Sequence, residues 1–592
     1  MTEAIRFGGR FVVEDSAPES VVTPEDFTEE QRMMAEAAEQ FMEAEITPRD
    51  AEIEALNYEL TVALMRKAGE LGLLGADVPE AYGGLGLDKV STTLLAETMA
   101  RASSFALSVG AHTGIGTLPI VFFGTREQKR AYLPDLASGR RIAAYCLTEP
   151  ASGSDALGAK TTARLSADGK HYVLNGSKLY ITNAGFADLF VVYAKVDGER
   201  FTAFIVERGM PGFSVGPEEH KMGIKGSSTC PLYFEDVSVP IKNVLGEVGK
   251  GHHIAFNILN IGRFKLGAGC LGSAKEAIEL ASSYANTRKQ FGRAISSYPL
   301  IGAKLADMNI RTFVLESMVY RTAGWIDAML RDTEEKGTAG DGMQIARAIG
   351  EYALECSIVK VFASEALDFV ADEAVQIHGG YGYIREYKVE RIYRDSRINR
   401  IFEGTNEINR MLIPGTLMKK ALKGELPLLP KAKALQAELM QPMPLPSFDA
   451  PLAKEAYRVG QAKKAFLAAG GLAVQKLGPR LEQEQEVLCA LADQMIQIFA
   501  MESALLRTQK IAKGASSDKT EQAIAMTAVF VQEASERVES LAKLALAALE
   551  TGDGLQMQLS VLKKLMRAPL TDTVALKRAI AARVIRSEHY VV

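Results

Sequence analysis

The sequence predicts an α+β chain: a helical N-terminal domain, an antiparallel β domain, a helical bundle domain, and an additional C-terminal helical domain. Three observations carry this. Helical patterning with a capping signal runs from Thr28 to Gly139 and resumes after Gly251. Between them lie short β-rich runs separated by glycine turns. Six prolines then fall within Leu426–Pro451, ahead of renewed helical patterns. The expected domains are 1–140, 141–250, 251–425 and 452–592, with 426–451 as a proline-rich linker.

Thr28-Glu-Glu-Gln31 reads as a capping box opening the first long helix, and Tyr82-Gly-Gly-Leu-Gly86 as a glycine-rich loop. The β runs are Tyr172–Leu174, Leu179–Thr182, Leu189–Tyr193, Phe201–Val206 and Leu232–Phe234. Turns such as Ala167-Asp-Gly169 and Asp197-Gly198 separate several of them. In the second helical block, Ala353 to Val375 is apolar at helical spacing, and a polar connector spans Thr333 to Gly342. Helical patterns through Gln483–Lys510 and Glu521–Leu549 make a separate domain after the linker.

The net charge of -5 gives no electrostatic reason to expect nucleic acid. The five cysteines are scattered and form no Cys-x-x-Cys pair, and the seven histidines show no helical ligand spacing. Neither a disulfide framework nor a metal site is expected, and a reducing compartment fits. The acidic start (Glu3, Glu14, Asp15, Glu19) is unlike a transit peptide and has no apolar signal core. The expectation is a cytoplasmic protein. The uncharged run between Arg101 and Arg126 contains Ser103, His112, Gly114 and Pro119, which suit a buried helix and loop better than a membrane span.

Chemistry concentrates in Arg391–Arg410, where a basic segment runs into the acid Glu403, set between Phe402 and Gly404. A carboxylate held in a dry pocket has a raised pKa and makes a better base. On spacing alone, a helix C-terminus with Glu403 paired to a nearby arginine explains the same residues. The run Phe402-Glu-Gly-Thr405 resembles the catalytic-base region of acyl-CoA dehydrogenases. Tyr145–Asp155, Asn175–Asn183, Thr287–Gly292 and Gln376–Gly382 match the same family in the same order. The resemblance covers roughly residues 28 to 425, and the tail is similar to the extra C-terminal domain of the very-long-chain branch.

The resemblance implies an FAD enzyme that removes the α-proton and β-hydrogen of a fatty acyl-CoA, giving the trans-2-enoyl-CoA of β-oxidation. It implies an electron-transfer flavoprotein as electron acceptor. Glu403 would be the base, and its backbone N–H, with a flavin hydroxyl, the oxyanion hole. In the isovaleryl-CoA branch the base sits on another helix, at the place of Gly262 here, so this chain follows the majority arrangement. FAD contacts carried over by the resemblance are Tyr145, Leu147, Thr148, Ser154, Tyr180, Ile181 and Thr182 for the isoalloxazine. Tyr180 stands where tryptophan is commoner. Arg288, Gln290 and Phe291 would reach the diphosphate across a subunit boundary, Gln376, Gly379 and Gly380 the adenosine half, and Thr405, Asn406 and Glu407 complete the set. Ser154, Asn260, Arg263 and Gly404 would border the substrate, and Phe105 to Phe123 is a candidate wall of the acyl tunnel.

Gly267-Ala-Gly-Cys-Leu-Gly272 fits a dinucleotide fingerprint, but no strand precedes it, so its glycines are read as permitting close helix packing. The resemblance assigns residues 452–592 to supporting a homodimer, where shorter relatives form tetramers. Lys431–Met440 is the counterpart of a membrane-binding segment, but its apolar face is small, so a solvated linker helix is expected. Two other readings remain open: an acyl-CoA oxidase using oxygen, and a flavoprotein with an assembly role.

Overall fold

The computed structural model describes residues 7–335, 342–441, 443–514 and 517–592. Pro442, most of the connector at 333–342, and Glu3 lie outside the described residues. The order is helices to Ala137, a β domain from Ala143 to Leu245, and helices thereafter. The Thr28 capping box forms: its hydroxyl accepts from Gln31 N–H, and the Gln31 side chain accepts from Thr28 N–H. Thr125 and Gln128 repeat the device at the Arg126–Ala137 helix.

The sheet is mostly antiparallel, with two parallel pairings that the alternation pattern does not encode. Ala143–Cys146 and Thr162–Leu165 both run parallel to Leu189–Val196. Two runs read as separate pieces, Tyr172–Leu174 and Leu179–Thr182, belong to one strand, His171–Thr182, which pairs with Thr229–Pro240. Register shifts at Leu174/Gly176 and Lys178/Ile181 break its alternation. The second shift puts Tyr180 at φ 58° and turns its ring outward, 61% exposed.

The C-terminal helices form the additional helical block, and they pack tightly on the bundle before it. Ala453–Leu477, Gln485–Ile511 and Asp518–Leu549 share one continuous core with Gly251–Thr287, Pro299–Glu335 and Ala353–His378. The linker holds a docked helix, Leu428–Leu439, with Leu435 buried and Glu438 paired to Lys464. Two helical stretches, Ser104–Phe123 and Gln485–Ile511, are long and apolar enough to cross a membrane. Most of each is buried within the protein.

A buried ionic network ties the layers together. Arg507 donates to Glu316 at 2.6 Å and to Glu25 at 3.0 Å, so the C-terminal helices, the bundle and the N-terminal segment meet at one guanidinium. Burial alone would raise the Glu316 carboxyl, but Lys275 and Arg507 hold it down at about 2. Removing Arg507 leaves Glu316 to Lys275 and Tyr590 and Glu25 to Lys519, so a buried and a partly buried carboxylate lose part of their compensation. Arg507→Ala is therefore expected to lose about 3–5 kcal/mol of stability in denaturant unfolding. A loss under 1 kcal/mol would show that the network is dispensable.

Candidate active site

Glu403 lies in the turn between the short helix Arg397–Arg400 and the helix Asn406–Leu422. Both Glu403 (φ 57°) and Gly404 (φ 80°) are left-handed. That conformation costs a residue with a Cβ about 1–2 kcal/mol, so the surroundings must hold it. They do so through the two carbonyls. Arg263 Nε donates to the Glu403 carbonyl at 3.0 Å, and Lys360 Nζ to the Gly404 carbonyl at 2.7 Å. Asn409 Nδ2 donates to the Gly404 carbonyl at 2.9 Å, and Thr405 caps the helix that follows.

The carboxyl group itself is left free. Glu403 Oε2 is buried and has no hydrogen-bond partner, so the pairing with an arginine suggested by spacing alone does not occur. Arg263 meets the backbone instead. Burial pushes the carboxyl up to about 7, and the Arg263 and Lys360 cations oppose that shift. Gly262 makes room for it: a Cβ there would lie 2.5 Å from Oε2.

Glu403 opens onto a cavity of about 260 Å³. The Gly251–Thr287 helix supplies one wall through Gly262, Leu266, Gly269, Ser273 and Glu276. At 1.5 Å per residue that wall runs roughly 21 Å. Leu95, Met99, Val109, Leu367 and Ile392 face it. The other charged lining groups have partners: Asp77 pairs with Lys89 and Lys265, Glu276 with Lys388, and Asp395 accepts from the Ser103 hydroxyl and the Ile224 N–H. Of the candidate wall Phe105–Phe123, Ala106 to Ile115 supplies the lining, whereas Phe105 is wholly in the core. Gly267 and Gly272 pack closely as read, their Cβ positions lying 2.5 Å from Val359 and 2.0 Å from the Glu97 carbonyl. Gly269 differs, because it faces the cavity with nothing within 4 Å.

The remaining candidate residues fall into two groups. Beside the cavity, Thr182 lines it, Tyr180 is exposed, Ile181 is buried beneath, and Ser154 is exposed on its loop. Tyr145 and Leu147 are buried, with the Tyr145 ring packed on Tyr193, and Thr148 is half-buried. Asn260 and Arg263 are buried and bonded to each other at 2.9 Å, turned to the base loop and not to an open surface. Asn406 is likewise turned inward, donating to Ser364 and Glu365, while Glu407 is exposed.

The second group surrounds an open hollow of about 580 Å³, lined by Arg288, Gln290, Gly379 and Gly380. Gln376 and Phe291 are exposed, Phe291 at 94%. A Cβ at Gly379 or Gly380 would meet nothing within 4 Å, so backbone is open to close approach. From Arg263 to Thr287 the shared helix rises roughly 36 Å, so the two groups stand far apart within one chain. Sequence reasoning missed Lys360, whose position in an apolar helix hid its contact with the base loop.

Comparison with known proteins agrees with this arrangement. Residues 28–140, 144–237 and 249–418 match the N-terminal, middle and C-terminal domains of acyl-CoA dehydrogenases, and 461–564 matches a further acyl-CoA dehydrogenase C-terminal domain. A "Probable acyl-CoA dehydrogenase" of Bacillus subtilis is 56% identical over 99% of both chains. The very long-chain specific mitochondrial acyl-CoA dehydrogenase of Homo sapiens is 40% identical over 69% of this chain and 60% of that one. The crystal structure of an acyl-CoA dehydrogenase complexed with FAD from Bacillus anthracis superposes with a TM-score of 0.97 at 55% identity, covering 99% of this chain and 100% of that one. A sheet flanked by two helical blocks, a buried unpaired carboxyl at an apolar cavity, and these matches along nearly the whole chain together establish that the protein belongs to the acyl-CoA dehydrogenase family.

Proposed function

We propose that this protein is an FAD-dependent dehydrogenase of long-chain fatty acyl-CoA, forming the trans-2-enoyl-CoA in β-oxidation and passing electrons to an electron-transfer flavoprotein. The observation that carries the reading is Glu403 Oε2, buried and unpartnered at a cavity whose helical wall runs roughly 21 Å. An unpaired carboxyl near neutrality is suited to taking a proton, and a long apolar cavity is suited to an alkyl chain.

The residues present fit FAD. Tyr180 offers an exposed aromatic face beside Thr182, and the hollow at Arg288 and Gly379 offers a guanidinium and open backbone. When bound, the flavin supplies the acceptor for the β-hydrogen, which leaves as a hydride. The chain's own work is positioning and proton transfer. Glu403 takes the α-proton of the thioester onto its free carboxylate oxygen. Arg263 and Lys360 fix the turn that presents it, and Gly262 leaves room for it to approach. The cavity walls exclude water and align the acyl chain.

The distance between the two groups of FAD candidates favours a homodimer. Arg263 beside the cavity and Thr287 next to the hollow are roughly 36 Å apart along their helix, so Arg288 and Gly379 would serve the cofactor of a second copy. The exposed Phe291, next to Gln290 in that hollow, is surface such a copy would cover.

An anaerobic titration of the yellow protein with acyl-CoAs of increasing length tests the reading. Bleaching by long chains, with reduced flavin stable in air, is the expected result. Rapid reoxidation by oxygen would favour an oxidase, and no bleaching by any acyl-CoA would overturn the substrate class. Because Glu403 must be ionised, kcat/KM should rise with pH through about 7 and level above it.

A further inference from the structure

Lys360 lies in the middle of the Ala353–His378 helix with 0% exposure, and its ammonium points at the base loop. Nζ donates to the Gly404 carbonyl at 2.7 Å and to Asn406 Oδ1 at 2.7 Å. Asn406 is held in turn, its Nδ2 donating to Ser364 Oγ and Glu365 Oε1, both at 3.0 Å. The lysine makes no ion pair with a carboxylate among the described residues, although a buried ammonium ordinarily requires one. Its acceptors are instead neutral oxygens within three residues of the base.

We propose that Lys360 is a positioning residue for proton transfer: it clamps the left-handed Glu403–Gly404 turn and supplies a cation that favours the carboxylate form of Glu403. This rests on the proposed dehydrogenase function. The charged and titratable groups around the pair are few. Glu403 feels Arg263 from the Gly251–Thr287 helix and Lys360 from its own helix, and the Tyr145 hydroxyl feels Glu403 from the sheet. Lys360 feels Cys270 and Arg263 from the first of those helices, and Glu403 and Glu407 from the loop and the helix after it. Burial lowers Lys360 to about 8, so it remains mostly cationic as Glu403 loses its proton near 7. Arg263 holds the Glu403 carbonyl from one side and Lys360 the Gly404 carbonyl from the other. The turn is thus fixed at both peptide units while the carboxyl stays free.

The test uses the full-length, FAD-loaded protein and reads Glu403 directly. The infrared carboxylic-acid band that disappears in Glu403→Gln is titrated with pH, alongside kcat/KM for hexadecanoyl-CoA. Lys360→Gln keeps a donor for the loop and removes the charge; Lys360→Arg keeps the charge. In Lys360→Gln the band midpoint should move up by about one pH unit, and the acidic limb of kcat/KM with it. Below that limb kcat/KM falls about tenfold. Lys360→Arg should keep the wild-type midpoint. FAD content and binding of the enoyl-CoA product report whether each variant is folded. An unmoved midpoint in a Lys360→Gln protein that binds both would overturn the proposal, as would an equal shift in Lys360→Arg. A wild type whose band titrates near 7 but which oxidises no acyl-CoA would instead overturn the dehydrogenase reading, leaving the shift in the band as the test of Lys360.

Discussion

Glu403→Gln is expected to retain FAD and lose turnover with every acyl-CoA by about 10³-fold. The substitution keeps the shape of the side chain, so the Gly262 clearance and the two clamped carbonyls are undisturbed. What changes is the free oxygen. In the wild type Oε2 has no partner and burial places the carboxyl near 7, so an ionised fraction exists at neutral pH. An amide has no site of comparable basicity. The candidate FAD contacts at Tyr180, Thr182, Arg288 and Gly379 do not involve the Glu403 side chain, so the visible spectrum should be preserved. Stopped-flow bleaching by hexadecanoyl-CoA measures the loss. Normal bleaching by that variant would remove Glu403 from the mechanism and leave at the cavity only carboxyls that already have partners, Asp77, Glu276 and Asp395.

The two halves of the site were unequally legible. Glu403 could be found because the run Phe402-Glu-Gly-Thr405 resembles the base region of the family, whereas the local pattern alone suited an acid paired with an arginine. The reason that it stays unpaired could not, because it depends on Arg263 choosing the backbone carbonyl 140 residues away. Lys360 was hidden for a related reason. A lone lysine in an apolar helix is ambiguous until the element facing it is known, and that element is the base loop itself. The glycines show the same limit. Gly262, Gly267, Gly269 and Gly272 share one helix, yet they face a carboxylate, a valine, an open cavity and a carbonyl. Helical spacing gives the faces but not their neighbours.

The fold follows the same division. Helical and β blocks were readable from periodicity, since that depends only on which side of each element is buried. The parallel pairings with Leu189–Val196 were not, because parallel partners are distant in sequence and leave no turn signal. The proline-rich stretch left one thing unsaid. Prolines break helices locally, but they say nothing of whether the helices on either side share a core, and here Val459, Phe499 and Val529 pack into the same core as Phe313 and Val359.

The second large effect concerns chain length. Gly269→Leu should lower kcat/KM for hexadecanoyl-CoA by about 100-fold while leaving butanoyl-CoA unchanged. Gly269 lies seven residues beyond Gly262 on the cavity wall, roughly 10 Å deeper along the helix. A short acyl group ends before that depth, and a long one must pass it. The added side chain enters open space, since nothing lies within 4 Å of its Cβ position, so the backbone need not move. Replacing an interior helical glycine also favours the helix by up to about 1 kcal/mol, so lost stability should not confound the result. Each methylene kept out of the cavity forfeits about 0.8 kcal/mol, and three or four of them amount to about two orders of magnitude. The comparison of the two substrates is internal to one protein, which separates a blocked cavity from damaged chemistry. Equal losses with both acyl-CoAs would mean that the chain does not run along this helix, and the long-chain assignment would fall with the route.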